Sequence, residues 1–260
     1  MSDTPLLEIR DLSKTFGSVQ ALTDVDFEVR HGEVMALVGD NGAGKTTLIK
    51  CIAGIHGFDS GEILFEGAPV TIGGPKDSGK LGIEVVYQDL ALCDNLDVVQ
   101  NMYLGREIRD FLFRLKEPAM EQRAAETLKG LRVTTIKSIR QTVATLSGGQ
   151  RQSVAVARAV MWNSKLVILD EPTAALGVAQ TQQVLELVKR LAEQGLAVVL
   201  ISHNLHDIFA VANRITVLLL GRQVGVYERE KTTQQEIVGA ITAGVPTKVA
   251  GIENGEAAPA

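Results

Sequence analysis

The chain has 260 residues, of which 45% are hydrophobic and 22% are charged, and its formal net charge is -5. These values are those of an ordinary globular protein with one large domain or two small ones, and the acidic balance argues against a general nucleic-acid binder. No apolar run approaches the roughly 20 residues of a membrane-spanning helix, and the N-terminus lacks the basic-then-apolar layout of a signal peptide.

The N-terminal part of the chain predicts β-structure. Residues 6–9 and 21–29 alternate apolar and polar side chains, as half-buried antiparallel strands do. Residues 33–38 form an apolar run that predicts a strand buried on both faces, and residues 61–67 predict a further short strand. The expectation is an antiparallel β subdomain that leads into a buried strand.

The middle of the chain has a helical pattern in place of the β pattern of the N-terminal part. A glycine-rich loop and a helix over 45–53, stopped by Gly54, follow the buried strand. Between about residues 90 and 162 the pattern is mostly helical, and Pro118 suits the start of a helix. This stretch predicts a helical subdomain inserted into the β-rich part.

The C-terminal part alternates strands and a helix. Apolar strands at 165–169 and 196–201 flank a helix over 178–194 with a regular apolar face, and residues 214–227 predict a hairpin. Such alternation predicts a parallel sheet flanked by helices. The fold class is therefore α/β with a mixed sheet, in one domain over residues 1–245 that is followed by a flexible tail.

The most specific motif is Gly39-x-x-x-x-Gly44-Lys45-Thr46, which follows a strand and opens a helix. Its glycines let backbone N–H groups approach phosphates closely, and the helix N-terminus favours an anion. Lys45 can reach the β- and γ-phosphates of a nucleotide, and the Thr46 hydroxyl can ligate Mg²⁺. The motif predicts a P-loop NTPase core that binds ATP and Mg²⁺.

Polar residues follow three other predicted strands. Asp170 and Glu171 come directly after the strand at 165–169, His203 follows the next strand, and Gln88 ends a candidate strand at 82–87. Ligands gather at the carboxyl edge of a parallel sheet. We expect Asp170 to hold the metal, Glu171 to polarise the attacking water, and His203 to contact the γ-phosphate. Gln88 is expected to bind either Mg²⁺ or the water.

A second anion site is predicted at Leu146-Ser147-Gly148-Gly149-Gln150. Ser147 is a good N-cap for a helix that runs to about Met161. The two glycines after it leave backbone donors uncovered at the helix N-terminus. Because one γ-phosphate already has a site in this chain, a second site indicates a second subunit.

Leu146 to Gln150 resembles the signature of ABC transporter ATPases, and the other motifs match that family in order. The resemblance extends from about residue 6 to 241. It implies that Gly39–Thr47 is the Walker A loop, Gln88 the Q-loop, Asp170 the end of the Walker B strand, Glu171 the catalytic base and His203 the H-loop. The nucleotide contacts that it implies are Phe16, Gly39, Asp40, Asn41, Gly42, Ala43, Gly44, Lys45, Thr46, Thr47, Ser147, Gly148, Gly149 and Gln150. Phe16 lies where the family stacks an aromatic ring under adenine, although a core position is equally compatible with its sequence.

Finer matches are similar to ATPases of bacterial monosaccharide importers of the ribose, xylose and fructose group, notably Thr173-Ala-Ala-Leu-Gly-Val. Many of those carry two fused copies, whereas this chain has one, so the resemblance implies a homodimer. It departs from the general ABC pattern at Gly177, where an aspartate of the D-loop is usual. The coupling between the two ATP sites is therefore open.

The resemblance implies a cycle in which a head-to-tail homodimer sandwiches two ATP molecules. The dimer would drive a transmembrane permease at the cytoplasmic face of the cell membrane, with a periplasmic sugar-binding protein as an indirect partner. Residues 90–115, which include Phe111 and Phe113, are the candidate permease contact. The alternatives are a soluble ABC ATPase that clamps nucleic acid or ribosomes, which usually has coiled-coil inserts or basic arms, and a P-loop kinase, which does not use the signature.

Overall fold

A computed structural model describes residues 4–244 of the chain and contains two β-sheets. The smaller sheet is antiparallel, with strand order β2-β1-β4-β5. Its strands are β1 (Leu7–Phe16), β2 (Val19–Val29), β4 (Ser60–Phe65) and β5 (Ala68–Pro69). The predicted N-terminal antiparallel β subdomain is confirmed, and β1 extends further than the alternating run at 6–9 indicated.

The larger sheet has six strands in the order β10-β9-β3-β8-β7-β6. Its central strands pair in parallel, and β10 closes the edge by pairing antiparallel with β9. The strands are β3 (Val34–Val38), β6 (Ile83–Val86), β7 (Leu166–Asp170), β8 (Ala197–Ile201), β9 (Arg214–Leu219) and β10 (Arg222–Glu228). All residues of β3 and β8 are buried, as expected for parallel strands covered on both faces.

Helices cover both faces of the larger sheet. They are α1 (Lys45–Ile52), α2 (Pro75–Leu81), α3 (Val98–Tyr103), α4 (Glu117–Gly130), α5 (Gly148–Val160), α6 (Val178–Glu193), α7 (Leu205–Val211) and α8 (Gln234–Ala243). Short 3₁₀ turns lie at Val143–Thr145 and Arg229–Lys231. The predicted helices at 45–53 and 178–194 are confirmed to within a residue. Within residues 4–244, no helix is long and apolar enough to cross a bilayer.

The inserted helices pack on one face of the larger sheet. Helices α3, α4 and α5 contact one another, and their buried side chains share a cluster with Val167, Leu169, Val198 and Leu200 on alternate positions of β7 and β8. The opposite face of the same strands packs against α1 and the antiparallel sheet. The insert therefore shares its core with the sheet.

The stretch from 90 to 162 is less helical than its pattern indicated. The segments 104–116 and 131–142 form no helix, and α4 begins at Glu117 with Pro118 in its first turn. The predicted subdomain boundaries remain a prediction. The tail at 246–260 lies outside the described residues.

Candidate functional site

The predicted polar residues meet at one edge of the larger sheet. The glycine loop follows β3, and Gln88, Asp170 and His203 follow or end β6, β7 and β8. These four strands are neighbours and run parallel in the order β3-β8-β7-β6. Their carboxyl ends therefore open on the same edge, which is where ligands bind in open α/β sheets.

The loop after β3 has a backbone that only glycine can follow at two positions. Gly39 and Gly44 have φ of 154° and 101°. A Cβ atom on Gly39 would lie 2.3 Å from the carbonyl oxygen of Leu218, and one on Gly44 would lie 2.8 Å from Cδ2 of Leu22. The glycines of the motif are therefore required by the fold of the loop itself.

Helix α1 begins at this loop with its N-terminus uncapped by any side chain. The first N–H groups of a helix lack intrahelical partners, so they face the loop as donors for an anion. The Lys45 ammonium donates hydrogen bonds to the carbonyl oxygens of Gly39, at 2.7 Å, and Asp40, at 3.0 Å. Burial lowers the pKa of Lys45, and the charges of Glu171, Asp40 and Asp170 oppose that shift.

A cavity of about 300 Å³ joins the loop to the other strand ends. Its walls contain ten of the residues predicted from the sequence, together with Ala21 and Ile201, which the sequence did not single out. The ten are Asn41, Gly42, Ala43, Gly44, Lys45, Thr46, Thr47, Gln88, Asp170 and Glu171. Gly39 and Asp40 belong to the same loop but do not line the cavity.

Asp170 and Glu171 end β7 with different environments. Burial raises the pKa of the Asp170 carboxyl, the neighbouring charge of Glu171 raises it further, and Lys45 opposes the shift. Glu171 has a φ of 49°, and its N–H donates to the carbonyl oxygen of Ile201 at 2.9 Å. The chain therefore turns sharply out of the strand and directs the two adjacent carboxylates into one cavity.

His203 lies beside the Glu171 carboxylate. Its Nδ1 atom is 2.9 Å from Glu171 Oε2, and the His203 side chain is 77% exposed whereas that of Glu171 is 17% exposed. Glu171 Oε2 is buried and accepts no hydrogen bond within residues 4–244. The His203 ring therefore lies against a buried oxygen of the Glu171 carboxylate, although His203 itself does not line the cavity.

The chemistry of the cavity fits a magnesium ion. Thr46, Gln88 and Asp170 line the same cavity and carry a hydroxyl, an amide and a carboxylate. Mg²⁺ prefers oxygen ligands and usually binds through one or two carboxylates together with substrate phosphates and water. Within residues 4–244, no cluster of three histidines, cysteines or acidic residues exists that would hold a metal by itself.

Phe16 lies at the end of β1 and is 43% exposed, so it is not a core residue. It belongs to the β1–β2 hairpin, and Ala21 of the same hairpin lines the cavity. The ring of His56 meets Phe16 edge-on at 5.1 Å between centroids, and the Lys14 ammonium lies 5.3 Å from the Phe16 centroid. Lys14 is two residues before Phe16 on β1, a spacing that places side chains on the same face of a strand, whereas His56 is distant in the sequence and left no local signal.

The second predicted anion site lies at the start of α5 and does not line the cavity. Ser147 caps the helix as predicted, and it accepts from the Gln150 N–H at 3.4 Å while Gln150 Oε1 accepts from the Ser147 N–H at 2.8 Å. The Gln150 amide also donates to the carbonyl oxygen of Thr135 at 2.6 Å. Ser147 and Gly148 are exposed, so this helix start faces outward.

The two glycines of this segment have a packing role that the sequence analysis missed. A Cβ atom on Gly148 would lie 2.7 Å from Cδ2 of Leu176, and one on Gly149 would lie 3.1 Å from Cβ of Gln180. The start of α5 is therefore pressed against the start of α6. Gly177, the N-cap of α6, is exposed, and a Cβ atom there would meet nothing within 4 Å.

Comparison with known proteins agrees with these features. The model of the ABC transporter family matches residues 22–174. The chain is 47% identical to the xylose/arabinose import ATP-binding protein of Sulfolobus acidocaldarius over 96% of this chain and 98% of that one. It is 46% identical to the fructose import ATP-binding protein of Rhizobium meliloti, over 93% and 95% of the two chains. The ribose import ATP-binding protein of Yersinia pestis is 41% identical, but the match covers 92% of this chain and 46% of that one.

Solved structures show the same fold. A nucleotide-free ATP-binding cassette from an ABC transporter superposes with a TM-score of 0.77 at 25% identity, over 88% of this chain and 93% of that one. A dimeric bacterial ABC transporter cassette superposes with a TM-score of 0.72 at 25% identity, over 86% and 98% of the two chains. The predicted α/β fold with a P-loop core is confirmed.

Proposed function

The chain belongs to the ABC transporter family, and from that membership we propose that it is the ATP-hydrolysing subunit of an importer that takes up a monosaccharide. The observation that carries this proposal is the cavity in which the glycine loop, Asp170 and Glu171 meet. The signature segment, Leu146 to Gln150, lies outside this cavity. The relatives that match this chain over nearly its whole length have names that describe sugar import.

Within the cavity, the proposed roles follow from the donors present. The uncapped start of α1 and the Lys45 ammonium bind the phosphates of ATP, and Phe16 stacks on the adenine ring. Glu171 acts as the general base toward the attacking water, because its carboxylate belongs to a residue that lines the cavity beside the glycine loop. His203 contacts the γ-phosphate from the exposed side of Glu171.

Thr46, Gln88 and Asp170 are the proposed ligands of Mg²⁺, which, when bound, neutralises charge on the β- and γ-phosphates. The raised pKa of Asp170 supports this role, because a carboxylate that burial destabilises gains most from a cation. Gln88 is exposed at the end of β6. It can reach either the ion or the attacking water.

The signature segment completes the site of a second subunit in this proposal. Ser147 and Gly148 are exposed at the start of α5, outside the chain's own cavity. A head-to-tail homodimer brings the start of α5 in one subunit to the ATP held by the glycine loop of the other. The dimeric cassette of similar fold supports the formation of a dimer.

The permease is the proposed membrane partner, and residues 90–115 are its proposed contact. Met102, Leu104 and Arg106 of this segment line a groove of about 230 Å³ with Trp162 and residues 84–86. This groove lies next to Gln88 in sequence and in the sheet, because β6 ends just before Gln88. The subunit then acts at the cytoplasmic face of the cell membrane and is held there by the permease, which receives sugar from a periplasmic binding protein.

Two measurements test this proposal. Glu171→Gln is expected to form an ATP-dependent dimer in analytical ultracentrifugation, and the same variant carrying Ser147→Arg is expected to stay monomeric. Affinity-tagged chain from native membranes is expected to co-purify an importer-type permease. Recovery of an exporter-type membrane domain would overturn the import assignment, and full hydrolysis by a monomer would overturn the shared-site arrangement.

A further inference from the structure

The segment that brings Gln88 into the cavity has an unusual backbone. The Leu90 N–H donates to the carbonyl oxygen of Tyr87 at 2.9 Å, so a tight turn with Gln88 as its first central residue follows β6. Leu90 and Ala91 have φ of 57° and 46°. Left-handed backbone is uncommon for residues that carry a Cβ and rarely extends over two in succession. Contacts with the surrounding structure are therefore needed to hold it.

Arg158, in the last turn of α5, supplies these contacts. Its Nη2 donates to the carbonyl oxygen of Leu90 at 3.0 Å, and its Nη1 donates to that of Ala91 at 2.7 Å. Both distances are those of ordinary hydrogen bonds, and a charged donor makes such bonds stronger than neutral ones. One guanidinium group therefore binds the carbonyl oxygens of both left-handed residues.

The surroundings of Arg158 favour these bonds. Burial lowers the pKa of Arg158, and the charge of Glu84 opposes that shift, but the Glu84 carboxylate already pairs with Arg106 at 2.8 Å. A cation that is withdrawn from water recovers its lost hydration through hydrogen bonds with other acceptors. For Arg158 those acceptors are the carbonyl oxygens of Leu90 and Ala91, so the arginine and the left-handed residues stabilise one another.

The turn connects this arginine to the cavity. Gln88 lines the cavity together with Thr46 and Asp170, and it lies two residues before the first carbonyl that Arg158 binds. A contact that fixes the backbone beside a metal ligand determines where the side chain of that ligand lies, as outer contacts of metal sites generally do. Arg158 itself does not line the cavity, so any influence on the site passes through the turn.

We propose that Arg158 is a positioning residue that holds the turn at Gln88 and thereby keeps the Gln88 side chain at the magnesium site. This inference rests on the proposed function, in which Gln88 ligates the ion together with Thr46 and Asp170. Loss of the two bonds from Arg158 releases the left-handed residues of the turn. The Gln88 amide then no longer stays beside the other two ligands, and the ion is bound less tightly.

The test measures metal affinity in the absence of turnover. The full-length chain carrying Glu171→Gln is mixed with ATP and titrated with Mn²⁺ in place of Mg²⁺, and electron paramagnetic resonance reports the free Mn²⁺. Addition of Arg158→Gln is expected to weaken Mn²⁺ binding by about 10–100-fold. Arg158→Lys is expected to give an intermediate affinity, because an ammonium keeps the charge but lacks the planar fork that reaches two carbonyl oxygens.

Arg190→Gln in the same Glu171→Gln background is the matched control. Arg190 also donates to two successive carbonyl oxygens, those of Leu131 at 2.9 Å and Arg132 at 3.4 Å, and Arg132 has a φ of 53°. Neither of these two residues lines the cavity. The control is expected to bind Mn²⁺ as the parent does. Both arginine variants are expected to lower the melting temperature, so a difference in metal affinity between them does not come from stability alone.

Two further measurements show whether the effect passes through Gln88. In Arg158→Gln, hydrogen exchange of the backbone amides at 89–92 is expected to rise by about tenfold or more, because the turn opens locally. Gln88→Ala is expected to weaken Mn²⁺ binding, and Arg158→Gln added to it is expected to weaken binding no further.

Unchanged Mn²⁺ affinity in Arg158→Gln or in Gln88→Ala would overturn the proposal, and so would full additivity of the two substitutions. These results would leave the proposed ATPase role intact. That role fails on different observations, namely a parent chain that binds no ATP or hydrolysis that persists in Glu171→Gln.

Discussion

Helices α1 and α5 both begin at glycine-rich segments, but the two helix starts are built in different ways. At α1 the N-cap is Gly44, which is left-handed, and no side chain covers the first N–H groups. At α5 the N-cap is Ser147 in an extended conformation, and a complete capping box with Gln150 covers part of the helix start. The first start lines a cavity with Lys45, and the second is exposed on the surface.

The difference indicates how an anion is held at each place. The start of α1 is concave and brings a cation, a metal-ligand set and a candidate base to the same space, so one chain can bind a triphosphate there. The start of α5 offers fewer donors and no cavity, so it gains a full site only when another surface presents a phosphate to it. Glycines at α1 open the backbone to a ligand, whereas those at α5 also allow close packing against α6.

Removing the candidate base is expected to give the largest effect. Glu171→Gln keeps the size of the side chain but removes its ability to accept the proton of water. The rate of ATP hydrolysis is expected to fall by about 10²–10⁴-fold, while equilibrium binding of ATP, measured by fluorescence titration, stays within a few fold. Retention of most of the activity in this variant would show that the base lies elsewhere in the cavity.

The next effect concerns the start of α5. Ser147→Arg places a bulky cation on an exposed N-cap and is expected to lower hydrolysis by about 10²-fold, comparable to the removal of a preorganised anion donor. Binding of ATP by the isolated subunit is expected to persist. Ser147→Ala is the matched control, because it removes only the cap and is expected to lower the free energy of unfolding by about 1 kcal/mol. A similar loss of ATP affinity in both variants would mean that the α5 start serves its own chain.

Alanine substitutions at Gly44, before α1, and at Gly177, before α6, compare a strained backbone position with an unstrained one. Gly44→Ala puts a Cβ atom 2.8 Å from Leu22 Cδ2 at a φ of 101°. It is expected to lower the free energy of unfolding by about 1–3 kcal/mol and to weaken ATP binding. Gly177→Ala, with a φ of -73° and no neighbour within 4 Å of its Cβ, is expected to stay within about 0.5 kcal/mol of the parent. Thermal denaturation of both variants measures the contrast, and equal destabilisation would refute it.

Much of this arrangement could be predicted from the sequence because its signals are local. The apolar period over 178–194 predicted one buried helix face, and the residues buried on α6 are Val184, Leu185, Leu187, Val188 and Leu191. The run of apolar residues before Asp170 identified β7. Once these strands are taken as parallel neighbours, their carboxyl ends must meet, so the polar residues that follow them form one site.

Other features depend on contacts between distant residues and left no local signal. Helix α2 contains Gly79 and has a single buried residue, Ser78, so it has no apolar period to detect. The turn at Asp110 is stabilised by two backbone N–H groups that donate to its carboxylate. The sequence pattern of this stretch favoured a helix and gave no sign of the turn. The contact of Gly148 with Leu176 joins two segments whose separation in the sequence gives no indication that they touch.

Ionisation of Asp170 in the cavity at the start of α1 is expected to lower the free energy of unfolding. Burial and Glu171 raise its pKa in the folded chain, so the unfolded chain ionises first as pH rises from about 4. The free energy of unfolding is therefore expected to fall as pH rises through that interval and to stay lower at neutral pH. Asp170→Asn is expected to raise the melting temperature at pH 7. An unchanged or lower melting temperature would contradict the sign of the shift.

The smallest effect is expected at Gly177, which lies between the two compared regions because it starts the helix on which the α5 glycines pack. Gly177→Asp supplies an N-cap carboxylate to α6, which is expected to stabilise the fold by only a few tenths of a kcal/mol. A Cβ atom at this position meets nothing within 4 Å in its own chain. A change in the cooperativity of hydrolysis with ATP concentration would therefore reflect a contact of the new side chain with the second subunit. Gly177→Asn is the matched control, since it caps the helix equally well but lacks the charge. If both variants change that cooperativity equally, the effect comes from the helix cap. If only the aspartate variant changes it, the negative charge at this position couples the two ATP sites.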